Sequence, residues 1–125
     1  MDEMKADLQG SIEIARKQGM RDDQLILDPG VGFAKTADDN LLTIQGLQEL
    51  DSFGMPILLA TSRKGFLGKL VDVPANERDV ATATTTVSGI LSGVDMVRVH
   101  NVKVNKEAAV VADAIKRGQV EPLTH

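Results

Sequence analysis

Apolar residues recur at helical spacing from Asp2 to Gln18, where Met4, Leu8, Ile12 and Ala15 form one stripe and Gly19 supplies a stop. After the polar Arg21-Asp22-Asp23 connection the period changes. Gln24-Leu25-Ile26-Leu27 is a short apolar run closed by Asp28-Pro29-Gly30, the pattern of a strand buried on both faces. A glycine-containing loop occupies residues 30–35. Thr36 and Asp39 then fit a capping-box variant ahead of a helix with Leu41, Ile44, Leu47 and Leu50 on one stripe and Gly54 at its end.

A second apolar strand, Pro56 to Ala60, runs into Thr61-Ser62-Arg63-Lys64-Gly65, and residues 66–70 suit a short helical turn. An Ala-, Thr- and Ser-rich helix is expected from about Asn76 to Leu91, its small side chains suited to close packing, with Ser92-Gly93 as its end. The third strand reads Asp95 to His100. Asn105 is the expected cap of a last helix to Arg117, before Gly118 and a frayed tail over 119–125. A helix followed by three strand–helix units predicts an α/β fold with parallel strands and right-handed crossovers.

Polar side chains enter each strand only at its C-terminal end, where α/β folds carry their ligand crevice. Asp28, Lys64 and Arg98 recur 36 and 34 residues apart, once per unit at the same structural place. The candidates are Asp28, then Ser62, Arg63 and Lys64, then Arg98 and His100. Strand alternation puts Arg98 and His100 on one face and Val97 and Val99 on the other. Each motif also has a plain reading. Asp-Pro-Gly is often only a turn, and Ser-Arg-Lys-Gly a solvated loop. Arg98 can be half of an ion pair, His100 a core histidine, and Phe33 a loop anchor. Gly30 and Gly32 make a weak phosphate-loop signal. Their coincidence at equivalent strand ends favours one site. Asp28 can there pair with Lys64 or accept from the amidine-like edge of a heterocycle.

Composition sharpens this. The 125 residues are 42% hydrophobic and 26% charged, a globular balance in a single domain over 1–125. Fourteen Lys and Arg stand against 18 Asp and Glu, giving a net charge of −4, and aromatics are 2%. Both the basic surplus and the stacking residues of a nucleic-acid binder are missing. No run approaches the roughly 20 apolar residues of a membrane span. Cysteine is absent, which excludes disulfides, thiolate metal sites and thiol nucleophiles; no metal-ligand set is visible. Without an export pattern the expected location is cytoplasmic. Cations gathered at one edge of an acidic chain point to an anionic ligand, most simply phosphate or pyrophosphate.

Three motifs together resemble the dihydropteroate synthase family over residues 1–118. They are Leu27-Asp28-Pro29-Gly30-Val31-Gly32-Phe33-Ala34-Lys35, Thr61-Ser62-Arg63-Lys64-Gly65-Phe66-Leu67-Gly68, and Val97-Arg98-Val99-His100-Asn101-Val102. Their intervals, and Glu77-Arg78 before the Ala/Thr-rich helix, match as well. The resemblance implies the C-terminal part of a pterin-binding (β/α)8 TIM barrel, three parallel strands of eight. It implies condensation of 6-hydroxymethyl-7,8-dihydropterin pyrophosphate with p-aminobenzoate to 7,8-dihydropteroate and pyrophosphate in folate synthesis.

On that basis Asp28 binds the pterin amino-pyrimidine edge, and Lys64 contacts the pterin beside the p-aminobenzoate pocket. Phe33 and the Lys64-Gly65 turn help form that pocket, which sulfonamides also occupy in the family. Arg98 packs on the pterin and, with Ser62 and His100, reaches the pyrophosphate. Asn101 stands where aspartate is most usual. The family further implies Mg2+, carried with the pyrophosphate and by residues outside this chain, and a homodimer. A barrel of this type has about 250 residues, so an isolated chain of this length is expected to be inactive, with open edges through which it can self-associate. Two rival readings remain: a non-catalytic half-barrel that binds pterin or serves assembly, and a methyltetrahydrofolate-type methyltransferase domain.

Overall fold

Helix α1 spans Asp2–Lys17, with Asp2 and Glu3 in its first turn and Arg16 and Lys17 in its last, each suited to the helix dipole at its own end. Its stripe buries Leu8 and Ile12. The structure is a computed structural model and describes residues 1–33 and 36–121. Of the expected loop over residues 30–35, Ala34 and Lys35 lie outside the described residues, as do residues 122–125 of the expected tail.

The expected strand at Gln24–Leu27 is shorter than its apolar run. Asp22–Gln24 wind into a 3-10 turn because the Gln24 side chain accepts from the Arg21 N–H at 2.8 Å. Extended pairing is reached only at Leu27, whose N–H donates to Pro56 and whose carbonyl accepts from Leu58, both at 2.8 Å. The capping box forms as expected. Thr36 Oγ1 accepts from Asp39 N at 3.1 Å, and the Asp39 carboxylate accepts from Thr36 N, ahead of α2 at Ala37–Gln45. Gly46 then ends the α-helix early, and Leu47–Phe53 form a 3-10 helix that keeps Leu47 and Leu50 buried. The three-residue spacing of those two leucines fits a 3-10 turn as well as an α-helix. A Cβ at Gly46 would stand 2.8 Å from the Met1 methyl, so α1 closes on this bend.

Strand β1, Leu58–Leu59, pairs in parallel with β2, Met96–Val97, and Leu27 bridges to Ile57 on the other side. Between them lie α3 at Gly65–Val71, a 3-10 turn at Ala75–Glu77 and α4 at Asp79–Leu91. Helix α4 thus starts three residues later than its composition suggests. Helix α5 covers Val102–Arg117. Its cap is Asn101, whose Oδ1 accepts from Val104 N at 3.1 Å, and not the expected Asn105. Asn105 is buried one turn inside α5, where its Oδ1 accepts from Thr86 at 2.7 Å and its amide donates to the Asn101 carbonyl.

Thr82, Thr85 and Thr86 of α4 are buried with their hydroxyls paired. Thr82 donates to the Arg78 carbonyl, Thr85 to the Thr82 carbonyl and Thr86 to Asn105. Close packing extends to the sheet, since a Cβ at Gly89 would lie 2.8 Å from Leu59 Cδ2. Gly89→Ala gains about 1 kcal/mol of helix propensity and overpacks the core by about 1–3 kcal/mol. A net loss of about 1 kcal/mol should lower the thermal midpoint by about 5 °C. A midpoint equal to wild type by circular dichroism would mean that Leu59 yields.

Helices cover one face of the sheet. Leu27, Ile57 and Leu59 on that face are at most 5% exposed and pack with Leu8, Ile12, Leu50, Phe66 and Leu67. Ile26 and Met96 on the opposite face are 55% and 38% exposed. Parallel sheets ordinarily have both faces covered, so this sheet has the form of a segment of barrel wall with its inner face open.

Candidate active site at the strand ends

The first loop folds over a lysine. Asp28 Oδ1 accepts from Gly30 N at 2.7 Å, closing the turn that the Asp-Pro-Gly motif predicts. Gly32 adopts φ +89°, and a Cβ there would sit 2.6 Å from Lys64 Cδ, so only glycine lets the lysine stem pass beneath the loop. Buried Asn40 pins the loop by accepting from Gly32 N at 2.8 Å. Lys64 Nζ donates to the Val31 carbonyl at 2.5 Å and stands 4.7 Å from the centre of the Phe33 ring. Burial holds the Lys64 ammonium below the ordinary lysine range; the nearby Asp28 carboxylate opposes the shift and the Arg98 guanidinium adds to it. Asp28 and Lys64 therefore interact through space, and among the described residues they do not form a direct ion pair.

The second loop follows β1. Thr61 is buried, its hydroxyl 2.5 Å from that of Thr85. Arg63 takes the left-handed conformation, φ +59°, and turns its side chain to the outside, where Nε meets Asp79 Oδ1 at 2.9 Å. Ser62 and Lys64 consequently turn to the open face. Arg63, a sequence candidate on equal terms with them, does not join the mouth. At the third strand end Ser62 Oγ accepts from His100 N at 2.9 Å and lies 2.6 Å from His100 Nδ1. The Ser62 hydroxyl can donate to Nδ1 in the tautomer that leaves the Nε2–H for a ligand.

Two concavities meet at Lys64. One, about 330 Å³, is lined by Ala60, Ser62, Lys64, Arg98, Val99 and His100. The other, about 380 Å³, lies between Phe33 and the start of α3 and includes Gly32, Lys64, Gly65 and Phe66. Phe33 is 65% exposed there, an aromatic surface with no core duty. Of the candidates, Ser62, Lys64, Arg98 and His100 share the first hollow, and Phe33, Lys64 and Gly65 share the second. Asp28 stands exposed at the neighbouring strand end, within electrostatic reach of Lys64. Sequence reasoning missed Asn40, Thr82, Arg78 and Asp79, which hold these loops from behind. Their legible signals were the Glu77-Arg78 pair, which matches the family pattern, and the position of Arg78 and Asp79 at the head of a helix.

The family model described as "Pterin binding enzyme" matches residues 1–100. The chain belongs to this family. It is 45% identical over 113 residues to the dihydropteroate synthase of Bacillus subtilis (strain 168), an overlap of 90% of this chain and 40% of that protein. Among solved structures it resembles the Clostridium difficile dihydropteroate synthase determined with pteroic acid, at TM-score 0.90 and 45% identity over 92% of this chain and 44% of that one. The Yersinia pestis synthase in a sulfonamide drug complex gives TM-score 0.92 and 32% identity over 95% of this chain and 43% of that one. The fold is thus part of the family's (β/α)8 barrel, as the open inner face requires. The chain spans less than half the length of the curated relatives it matches.

Proposed function

We propose that this chain forms the pyrophosphate- and p-aminobenzoate-facing side of a dihydropteroate synthase. The observation that carries the reading is the position of Lys64, shared by a cationic hollow and an aromatic one. Arg98 and His100 suit the diphosphate of 6-hydroxymethyl-7,8-dihydropterin pyrophosphate, while Phe33 and Gly65 suit the ring of p-aminobenzoate. Asp28 offers a carboxylate to the two adjacent N–H donors of the pterin edge.

An aryl amine is a weak nucleophile, so the methylene carbon–oxygen bond should loosen before attack. The amine nitrogen then bonds to the methylene carbon, pyrophosphate departs with the bonding pair, and the attacking nitrogen gives up one proton. Arg98 and His100 stabilise the departing anion, and Asp28 stabilises the positive charge that develops on the pterin. Groups fixed before reaction do this without reorganising during it. The mouth presents cations, and among the described residues no group of three or more His, Asp or Glu side chains is placed to hold a metal ion. The expected Mg2+, carried with the pyrophosphate and by residues outside this chain, is assigned no step here.

The open inner face, with Ile26 and Met96 exposed, supports a requirement for barrel wall beyond these 125 residues. Homodimer formation belongs to the same reading. So does a cytoplasmic location; among the described residues no helix is long and apolar enough to cross a membrane. The test is p-aminobenzoate incorporation by the chain alone and by the chain joined to the N-terminal part of a synthase barrel. Dihydropteroate should form only in the second case. Turnover by the purified chain alone would defeat the requirement for more wall, and failure of a folded, completed barrel would defeat the synthase reading.

A further inference from the structure

Behind the mouth, one carboxylate ties two loops together. Asp79 is the first residue of α4, and its side chain is 23% exposed. Its Oδ1 accepts from Arg63 Nε at 2.9 Å, and its Oδ2 accepts from Arg63 Nη2 at 3.2 Å and from Asn101 Nδ2 at 3.1 Å. Arg63 belongs to the loop after β1 and Asn101 to the loop after β2. The residues next to them, Ser62 and His100, are bonded to each other on the mouth side.

The left-handed backbone of Arg63 is unfavourable in a non-glycine residue, and the head of α4 offsets it. Arg63 N donates to Thr82 Oγ1 at 3.1 Å, and the Arg63 carbonyl accepts from Arg78 Nη1 at 2.9 Å. Arg78 is itself held by the Val73 carbonyl, and its guanidinium lies flat on Gly68, where a Cβ would come within 2.7 Å of Cζ.

We propose that Asp79 is a positioning residue, a single carboxylate that locks the loop carrying Ser62 and Lys64 to the loop carrying Arg98 and His100. The proposal rests on the reading of the mouth as a pyrophosphate site. All three groups that meet the Asp79 oxygens are donors, so the acceptor-only character of a carboxylate is required. An asparagine at position 79 must turn its own N–H2 toward one of them. The same logic accounts for Asn101. An aspartate there would place a second carboxylate about 3.1 Å from the first, and the amide avoids that repulsion. Asp79→Asn with Asn101→Asp restores one donor facing one acceptor between positions 79 and 101, while the Arg63 Nη2 donor still lacks its acceptor.

The test uses a barrel completed around this chain, with inorganic pyrophosphate as the calorimetric probe and the imidazole nitrogen shifts of His100 as the readout of its bond to Ser62. D79N should weaken pyrophosphate at least about fivefold, close to 1 kcal/mol, and move the Nδ1 resonance. The D79N/N101D double variant, which regains the link between positions 79 and 101 but not the full Arg63 fork, should recover part of both. D22N, which breaks the remote Arg16–Asp22 ion pair, should change neither. Should D79N fail to fold, Arg63→Lys keeps the charge, loses the fork and carries the same expectation. Affinity within twofold of wild type together with an unmoved Nδ1 resonance would overturn the proposal. If wild type and R98A bind pyrophosphate equally, or neither binds, the pyrophosphate reading fails instead, and the Nδ1 resonance alone decides the role of Asp79.

Discussion

Asp28→Asn, introduced into a barrel completed around this chain, should weaken dihydropterin binding by about 100-fold and leave the fold intact. The amino-pyrimidine edge presents two parallel N–H donors, and a carboxylate presents two parallel acceptors. Asparagine replaces one acceptor with a donor, so one hydrogen bond is lost and an N–H is turned against an N–H. A hydrogen bond to a charged group contributes about 1.5–3 kcal/mol, and a hundredfold change in affinity corresponds to about 2.7 kcal/mol. Stability should hardly move. Asp28 is exposed, and among the described residues it accepts one hydrogen bond, from Gly30 N, which an asparagine oxygen accepts equally well. A thermal midpoint equal to wild type with affinity reduced is the expected pair of results. Calorimetry that returned wild-type affinity would remove Asp28 from the pterin site.

The positions of Asp28, Lys64 and Arg98 were legible in the chain because strand ends are marked by a change from apolar to polar residues, and three such changes fall 36 and 34 residues apart. The stripe Leu8–Ile12 and the Thr36–Asp39 box were legible for a similar reason, since each depends on neighbours in sequence. Harder to read were choices settled by contacts across the fold. Asn101 and Asn105 are both credible caps by residue type, and Thr86 on another helix decides between them by claiming Asn105. The outward turn of Arg63 depends on Asp79, Arg78 and Thr82, all supplied by α4. Strand length was overread for the opposite reason. Ile26 and Met96 look like core residues in an apolar run, yet they belong to a face that these 125 residues leave open.

Lys64→Ala should lower kcat/KM of the completed barrel at least tenfold, about 1.4 kcal/mol of transition-state stabilisation. Loss of activity alone would not separate a functional lysine from a structural one, and the stability of the variant does. Burial lowers the Lys64 pKa from its ordinary 10.5, so the unfolded chain binds the proton more tightly than the folded one. The charged lysine therefore costs the fold stability at neutral pH. As pH rises through the folded value toward the unfolded one, that cost is relieved and wild-type stability increases.

Alanine abolishes this pH-dependent gain. It also removes the bond to the Val31 carbonyl and the contact with Phe33, which stabilise the loop in the opposite sense. The terms nearly offset, so at pH 7 the midpoint should shift by no more than about 5 °C, equivalent to about 1 kcal/mol. An activity loss of tenfold or more with so small a shift identifies a side chain kept for its charge at the junction of the two hollows. Denaturant titrations of wild type and Lys64→Ala from pH 7 to 10 provide the second reading. The wild-type curve should rise relative to the variant, and parallel curves would mean that Lys64 titrates as a solvated surface lysine. Unchanged kinetics would take it out of the site altogether.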